Sequence, residues 1–155
     1  HIVETIANGS GAFVHAQTYS HMPLTAAAGL ATVRYLKEHR LVDRVAMLDA
    51  VFFNKLGALT SHPAVGDVRG RGFLAGIELV ADRETKRPFA RSERVVERVA
   101  EAALANGLVV WPNAGHLENG DGDIIMLGPP FTISTDEIDE LVSRLTRALE
   151  QTLGE

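Results

Sequence analysis

Hydrophobic residues recur at helical spacing in several parts of the chain. A run rich in alanine begins at Pro23, and proline suits the first turn of a helix because its missing N–H needs no partner there. This pattern predicts a helix from Pro23 to about Glu38, and small side chains on nearly every face indicate an internal helix. A second helix is predicted from about Leu41 to Leu59, on an apolar stripe formed by Leu41, Val45, Leu48, Phe52, Leu56 and Leu59.

Two further helices are indicated by cap signals as well as by periodicity. Ser92 is predicted to cap a helix that ends at Asn106-Gly107 and that has an apolar face of Val95, Val96, Val99 and Ala103. Near the end of the chain, Ser134 and Glu137 form a capping box, and Ile133 is placed to staple onto Ile138. The apolar stripe of this last helix consists of Ile138, Leu141, Val142, Leu145, Ala148 and Leu149.

Alternation of apolar and polar residues predicts strands between these helices. Val65–Val68 and Phe73–Val80 flank a glycine-containing turn, which predicts a hairpin. Leu108–Trp111 and Ile124–Leu127 are predicted to be two more strands, joined by a polar, glycine-rich connection.

The order of elements defines the fold class. Residues 1–11 are predicted to be a short helical or irregular lead-in, and residues 83–91 a charged loop. From residue 41 onward, helix, two strands, helix, two strands and helix follow one another. This order predicts an α/β protein whose C-terminal part is a small α+β layer, with helices packed on one side of a largely antiparallel sheet.

Composition and charge exclude several classes of partner. The chain has 155 residues, of which 46% are hydrophobic and 23% charged, as in globular proteins. No apolar run approaches the ~18 residues of a membrane helix. The net charge of -5 has the wrong sign for general attraction to nucleic acid. The absence of cysteine is consistent with a reducing compartment, so we expect a cytoplasmic protein without disulfides. Because the chain begins at His1, we expect that its native start is not in view.

Two glycine-containing stretches do not meet the requirements of the ligand loops that they resemble superficially. A strand, and not a helix, is predicted after Gly70–Gly76, so a dinucleotide loop is not expected there. Asn119–Asp123 would need glycine where Ile124 stands and glutamate where Pro130 stands to bind calcium. Both stretches are predicted to be turns.

Isolated histidines and serines do not form a recognisable catalytic or metal-binding pattern. His15 and His21 are the closest histidine pair, but no cysteine or neighbouring carboxylate completes a ligand set, so no metal site is expected. Ser10 and Ser20 lack the context of a nucleophile elbow.

The polar segment before the alanine-rich helix is the best candidate for a binding site. Gln17, Thr18, Tyr19 and Ser20 precede the helix N-terminus, where free N–H groups and the helix dipole favour an anion. Two interpretations follow from these residues: Thr18 or Ser20 caps the helix, or the segment binds a small-molecule phosphate.

The same segment resembles a known family. FVHAQTYSHMP (residues 13–23), followed by an alanine-rich helix, is similar to the segment after the active-site lysine in class III (omega) aminotransferases, which are pyridoxal-phosphate enzymes of fold type I. HPAVGDVRGRGFLAGIELV (62–80), GLVVWP (107–112) and IIMLGPP (124–130) resemble later blocks of that family, in the same order. The resemblance covers essentially the whole chain. It implies that residues 1–38 end the large cofactor domain, with a phosphate-contact loop and a connecting helix, and that residues 39–155 form the small C-terminal domain.

Cofactor contacts are implied only by this resemblance. The threonine of T-Y-S reaches the phosphate of the neighbouring subunit's cofactor in a dimer, and this role falls on Thr18, with Gln17 and Tyr19 as adjacent candidates. The implied reaction moves an amino group between an amine or amino acid and a keto acid or aldehyde. Aminomutases and decarboxylases share the same frame, and a non-catalytic dimerisation or binding fragment is the other alternative.

The chain lacks other parts of such an enzyme. The Schiff-base lysine is expected upstream of the polar segment, whereas Lys37, Lys55 and Lys86 all lie downstream, so no catalytic residue is assigned here. The glycine–hydroxyl phosphate cup, the aromatic residue that stacks on the cofactor ring and the aspartate that pairs with its nitrogen are also absent. We therefore expect an upstream part of the same enzyme, on the same or a separate chain.

The substrate side also departs from the family. Many relatives have an arginine shortly before the Pro-Pro turn that pairs with a substrate carboxylate. No arginine occurs from Trp111 to Asp123, and Asn113 and His116 are the polar alternatives.

Overall fold

The computed structural model describes residues 1–13, 15 and 17–154. Val14 and Ala16 of the family-like segment, and Glu155, lie outside the described residues. The chain divides into two compact units, His1–His39 and Arg40–Glu155. The domain roles expected for residues 1–38 and 39–155 remain predictions.

The first unit contains two helices, α1 (Ile2–Asn8) and α2 (Pro23–Glu38). The bounds of α2 agree with those predicted, and proline occupies the first turn as expected. Neither helix has a buried residue, and every residue of α2 except the half-buried Leu36 is exposed. The expectation of an internal helix is therefore wrong for this chain by itself, because α1, the other helix among the described residues of this unit, has seven residues and leaves α2 exposed.

The second unit has the predicted order of elements. It consists of α3 (Leu41–Leu56), β1 (Val65–Arg71), β2 (Leu74–Leu79), α4 (Val95–Ala105), β3 (Trp111–Ala114), β4 (Asp123–Leu127) and α5 (Thr135–Leu153). The strands form a four-stranded sheet in the order β1-β2-β4-β3, and each neighbouring pair is antiparallel. The prediction of helices packed on a small antiparallel sheet is confirmed.

One hydrophobic core joins the sheet to its helices. Alternate residues of β2 and β4 point into it, as the period-two pattern requires. Its fully buried members include Phe52 and Leu56 of α3, Ile77, Ile125, Val96 and Val99, and Ile138, Leu145 and Leu149 of α5. Because all three helices share this cluster with the same residues of the sheet, they cover one face of the sheet.

The end of the second long helix, α3, differs slightly from the prediction. The α-helical conformation of α3 stops at Leu56, and a 3-10 helix, Gly57–Ser61, continues the chain. Leu59 on this 3-10 segment is 2% exposed and belongs to the core, so the predicted apolar stripe is preserved in a tighter helix.

The prediction that Ser92 caps the third long helix is wrong. Ser92 lies inside a short 3-10 turn, Arg91–Glu93, and α4 begins only after Arg94, which has a φ of +50°. Glu93 accepts a hydrogen bond from the N–H of Ala90, which stabilises the 3-10 turn in place of an earlier start of the α-helix.

The predicted strand Leu108–Trp111 is also shifted. The N–H of Leu108 donates to the carbonyl of Ala103 at 2.8 Å, so Leu108 caps the C-terminal end of α4 and does not begin a strand. Pairing with β4 begins only at Trp111, which lies opposite Met126. Pro112 is tolerated in β3 because β3 is an edge strand. In the residues that the structure describes, no helix is both long and apolar enough to cross a membrane.

Candidate functional site

The N-terminus of α2 is not capped by a side chain. Met22 is its N-cap residue, and the hydroxyl of Thr25 donates back to the carbonyl of Met22 at 2.9 Å. Among the described residues, no hydrogen bond engages the N–H groups of Leu24 or Thr25, or joins the hydroxyls of Thr18 or Ser20 to the first helical turn. The capping interpretation is therefore not realised, and the positive end of the helix dipole remains available to an anion.

The three cofactor candidates lie beside this helix start. Residues 18–21 form a turn in which the N–H of Ser20 donates to the carbonyl of Gln17 at 3.0 Å. Gln17 and Thr18 are exposed, and Tyr19 has 71% of its surface accessible. Hydroxyl and amide donors next to free helical N–H groups fit the chemistry of a phosphate.

The lysines of the chain are placed differently. Lys37 lies in the last turn of α2, at the opposite end of that helix from Thr18. Lys55 forms an ion pair with Asp139, and the ammonium of Lys86 donates to the carbonyl of Gly66. In this structure Lys55 and Lys86 therefore act as structural donors within the second unit.

The sheet face opposite the helices, which we call the outer face, carries the second group of candidates. Its rows follow from the register: Glu78 and Asn113 flank Ile124, and Gly76 and Trp111 flank Met126. Trp111 is 70% exposed, and the amide nitrogen of Asn113 lies 3.5 Å from the sulfur of Met126.

Arg69 is an arginine on the outer face, but carboxylates already engage it. Its guanidinium donates to Asp67 at 2.8 Å and to Glu78 at 2.6 Å. Hydrogen bonds from Arg69 to Asp67 and then to Glu78 raise the pKa of Arg69. A substrate carboxylate would have to displace one of these partners before it could bind to Arg69.

His116 faces a cavity on the outer side of the sheet. The cavity has a volume of about 340 Å³, and its walls include Glu78, Lys86, His116, Leu117 and Ile124. Ile124 pairs with Asn113 in the sheet, so the structure brings Asn113 and His116 to the same side of the second unit. The lining combines charged residues of both signs, Glu78 and Lys86, with apolar residues such as Leu117 and Ile124. Such a mixed lining suits a small polar molecule.

The sequence interpretation missed a buried carboxylate. Asp123 is 2% exposed, and its Oδ1 finds no hydrogen-bond partner among the described residues. Burial raises the pKa of Asp123, whereas the guanidinium of Arg91 lowers the pKa of neighbouring Glu97. The signal was available in the alternation of β4, because Asp123 occupies the same inward phase as Ile125 and Leu127. Within the described part of the chain, no group of three or more potential metal ligands is present.

Comparison with known proteins relates these sites to a family. The profile of class III aminotransferases matches residues 1–149. The uncharacterized aminotransferase YodT of Bacillus subtilis (strain 168) is 39% identical over 143 residues, which are 92% of this chain and 32% of that protein.

Solved structures show the same relationship. The adenosylmethionine-8-amino-7-oxononanoate aminotransferase from Methanocaldococcus jannaschii DSM 2661 superposes with a TM-score of 0.80 at 34% identity, over 94% of this chain and 32% of that one. A PLP-bound aminotransferase mutant from Vibrio fluvialis superposes with a TM-score of 0.82 at 29% identity, over 97% and 31%. The chain thus spans about a third of the length of these relatives. Because the profile matches almost the entire chain, this chain belongs to the class III aminotransferase family.

Proposed function

We propose that this chain supplies a cofactor-phosphate contact and the substrate-side domain of a pyridoxal-phosphate-dependent aminotransferase. The observation that carries the proposal is the family match over residues 1–149, which includes the hydroxyl-rich turn at the uncapped start of α2. A relative from Vibrio fluvialis was solved in a PLP-bound form, which supports the choice of cofactor.

Bound pyridoxal phosphate supplies an electron sink that weakens the bonds at the amino-bearing carbon of the substrate. In our proposal the hydroxyl of Thr18 donates a hydrogen bond to a phosphate oxygen, and the free N–H groups at the start of α2 add their dipoles. Gln17 and Tyr19 lie next to Thr18 and provide further donors to the same anion.

The proposed reaction transfers an amino group between an amine or amino acid and a keto acid or aldehyde. Asn113 and His116 contact the substrate from the outer face of the sheet, where an amide and an imidazole can each donate and accept hydrogen bonds. Since Arg69 is already paired with Asp67 and Glu78, Asn113 and His116 orient the substrate on this side.

The proposed assembly is a cytoplasmic homodimer in which Thr18 contacts the cofactor held by the partner subunit. An upstream part of the same enzyme, on the same or a separate chain, provides the lysine. The exposure of the apolar residues of α2 supports this arrangement, because a helix with large apolar side chains on several faces requires a covering surface.

The proposal is tested on the purified assembly that includes the upstream part. We expect visible absorbance from bound pyridoxal phosphate and a stoichiometric exchange of amino groups between an amine donor and a keto acid. Release of carbon dioxide, or a product in which the amino group has moved within the same molecule, would instead identify a decarboxylase or an aminomutase. An assembly that binds no pyridoxal phosphate would be the non-catalytic alternative.

Thr18→Val tests the phosphate contact directly. Loss of one hydrogen bond to a charged phosphate should cost ~1.5–3 kcal/mol, and therefore weaken pyridoxal phosphate binding roughly ten- to hundredfold. The dissociation constant is measured by titrating the cofactor-free assembly. Thr32→Val is the matched control, because Thr32 is exposed on α2, the helix that follows Thr18, and its hydroxyl donates to the carbonyl of Ala28. Equal affinities of the two variants would contradict the role of Thr18.

A further inference from the structure

We propose that Asp121 is a positioning residue for the substrate side of the site, because it holds the Gly115–Gly122 loop in the conformation that presents His116 to the cavity on the outer face. The inference rests on the proposed function, in which His116 contacts the substrate.

Asp121 is the centre of the hydrogen bonds of this loop. Its Oδ1 accepts the N–H of Arg91 at 2.8 Å, and its Oδ2 accepts the amide of Asn119 at 2.7 Å. Its main-chain carbonyl accepts a hydrogen bond at 3.0 Å from the N–H of Leu117, the residue that directly follows His116. One residue thus joins the part of the loop that carries the imidazole to a segment 30 residues away in sequence.

The distant segment is itself fixed. Arg91 begins the 3-10 turn that leads into α4, and its guanidinium pairs with Glu97 on that helix. The hydrogen bond from Arg91 lowers the pKa of Glu97, which favours the charged form that the pair needs. The bond between the N–H of Arg91 and Asp121 therefore fastens the loop to a helix that is anchored in the core.

The base of the loop is closed independently of Asp121. The N–H of Gly115 donates to the carbonyl of Gly122 at 2.9 Å, and both glycines have positive φ values, +80° and +98°. Loss of the Asp121 carboxylate should consequently free the tip of the loop without opening the β3–β4 hairpin.

His116 is the residue whose position the Asp121 hydrogen bonds determine. It lines the cavity together with Glu78 and Lys86, and none of the described residues hydrogen-bonds to its ring. The backbone contacts of the loop thus hold His116 at the wall of the cavity, where its ring nitrogens can bind a ligand.

A double-mutant cycle in the complete enzyme tests this role. The kcat and KM for the amine donor are measured for the parent, Asp121→Ala, His116→Ala and the double variant. We expect Asp121→Ala to raise KM about tenfold, as for the loss of one substrate contact, with kcat nearly unchanged. When His116 is already alanine, Asp121→Ala should have no further effect on KM, because the imidazole that Asp121 positions is absent.

Conservative variants and controls complete the design. Asp121→Asn keeps an acceptor for the N–H of Arg91 and should restore most of the parent KM. Asp136→Ala, an exposed acid in the first turn of α5, should behave as the parent does. If Asp121→Ala does not fold, the cycle is run with Asp121→Ser, and the same criterion applies.

The outcomes separate this inference from the proposed function. Equal effects of Asp121→Ala with and without His116, or a loss of kcat at constant KM, would overturn the positioning role while the parent remains an active aminotransferase. A parent enzyme that binds pyridoxal phosphate but transfers no amino group would overturn the proposed function itself.

Discussion

Asp123 is a buried carboxylate whose surroundings disfavour its charged form. It occupies an inward position of β4 among aliphatic side chains, and one of its oxygens has no partner within the described structure. Arg91 is the nearby cation that acts on it, but Glu97 already engages that guanidinium, and Asp121 and Glu97 add negative charge. Desolvation is the largest influence on Asp123, which is why its pKa is raised.

The raised pKa predicts a pH-dependent effect of Asp123→Asn. The folded protein binds the proton more tightly than the unfolded chain, whose aspartate pKa is about 3.9. The free energy of unfolding therefore falls as pH rises from about 4 through the folded-state pKa of Asp123. Asparagine has no charge to desolvate, so the stability of the variant relative to the parent should increase as pH rises above about 4, as measured by urea unfolding of the cofactor-free enzyme.

Glu97→Gln is the control with the opposite sign. The guanidinium of Arg91 lowers the pKa of Glu97, so the parent gains stability as pH rises through the range in which glutamate ionises. The glutamine variant should therefore lose stability relative to the parent as pH rises to about 4.3, the pKa of an unperturbed glutamate, and keep this deficit at higher pH. If Asp123→Asn also lost stability as pH rose, then Arg91 and the N–H of Val96 would stabilise the Asp123 carboxylate more than burial destabilises it.

At the scale of elements, α5 is the helix whose start is best determined by local sequence. The hydroxyl of Ser134 accepts the N–H of Glu137, and the carboxylate of Glu137 accepts the N–H of Ser134 at 2.7 Å. The hydrogen bonds that the Glu137 carboxylate accepts from the N–H and the hydroxyl of Ser134 lower the pKa of Glu137. Both partners lie within four residues of the chain, so the capping box can be predicted from the sequence without knowledge of the fold.

The capping box predicts a modest and specific loss of stability. Ser134→Ala removes the N-cap acceptor and should lower the free energy of unfolding by about 1 kcal/mol. Ser143→Ala, at an exposed position inside the same helix, is the matched control and should be neutral or slightly stabilising. Equal effects of the two substitutions, measured by urea unfolding, would show that the cap does not contribute to stability.

The start of α4 illustrates where local reasoning fails. Ser92 has a suitable side chain and precedes an apolar stripe, but the structure places it in a 3-10 turn. Arg91 in that turn donates to Asp121, which lies far away in sequence, and Glu93 bonds back to Ala90. The hydrogen bond between Arg91 and the distant Asp121 thus competes with the local cap signal. Such a contact cannot be predicted from residue spacing along the chain.

At the scale of the whole molecule, the contrast between the two units is the main feature. The second unit has a continuous core, whereas α2 in the first has no buried residue. Leu24, Leu30, Val33 and Tyr35 of α2 are each about half exposed or more. These exposed apolar residues are the basis of the proposal that a further part of the assembly covers α2.

Hydrogen exchange should report this difference. In the 155-residue chain studied alone, the amides of α2 should exchange much faster than those of β2, β4 and α5, because packing, and not intrinsic propensity, provides most helix stability. In the complete assembly the α2 amides should become protected to a degree comparable with the core. Strong protection of α2 in the isolated chain would show that it needs no covering surface.

The sequence by itself determined the element types, their order and the family, because apolar periodicity, glycine and proline signals, and linked motifs are all local. It identified the bounds of α2 and the cap of α5 for the same reason. Only the tertiary structure decided that Asp123 is buried, that Arg69 is paired with two carboxylates, and that Asn113 and His116 share the outer side of the sheet. These features depend on strand register and on hydrogen bonds between distant segments, which a one-dimensional pattern does not contain.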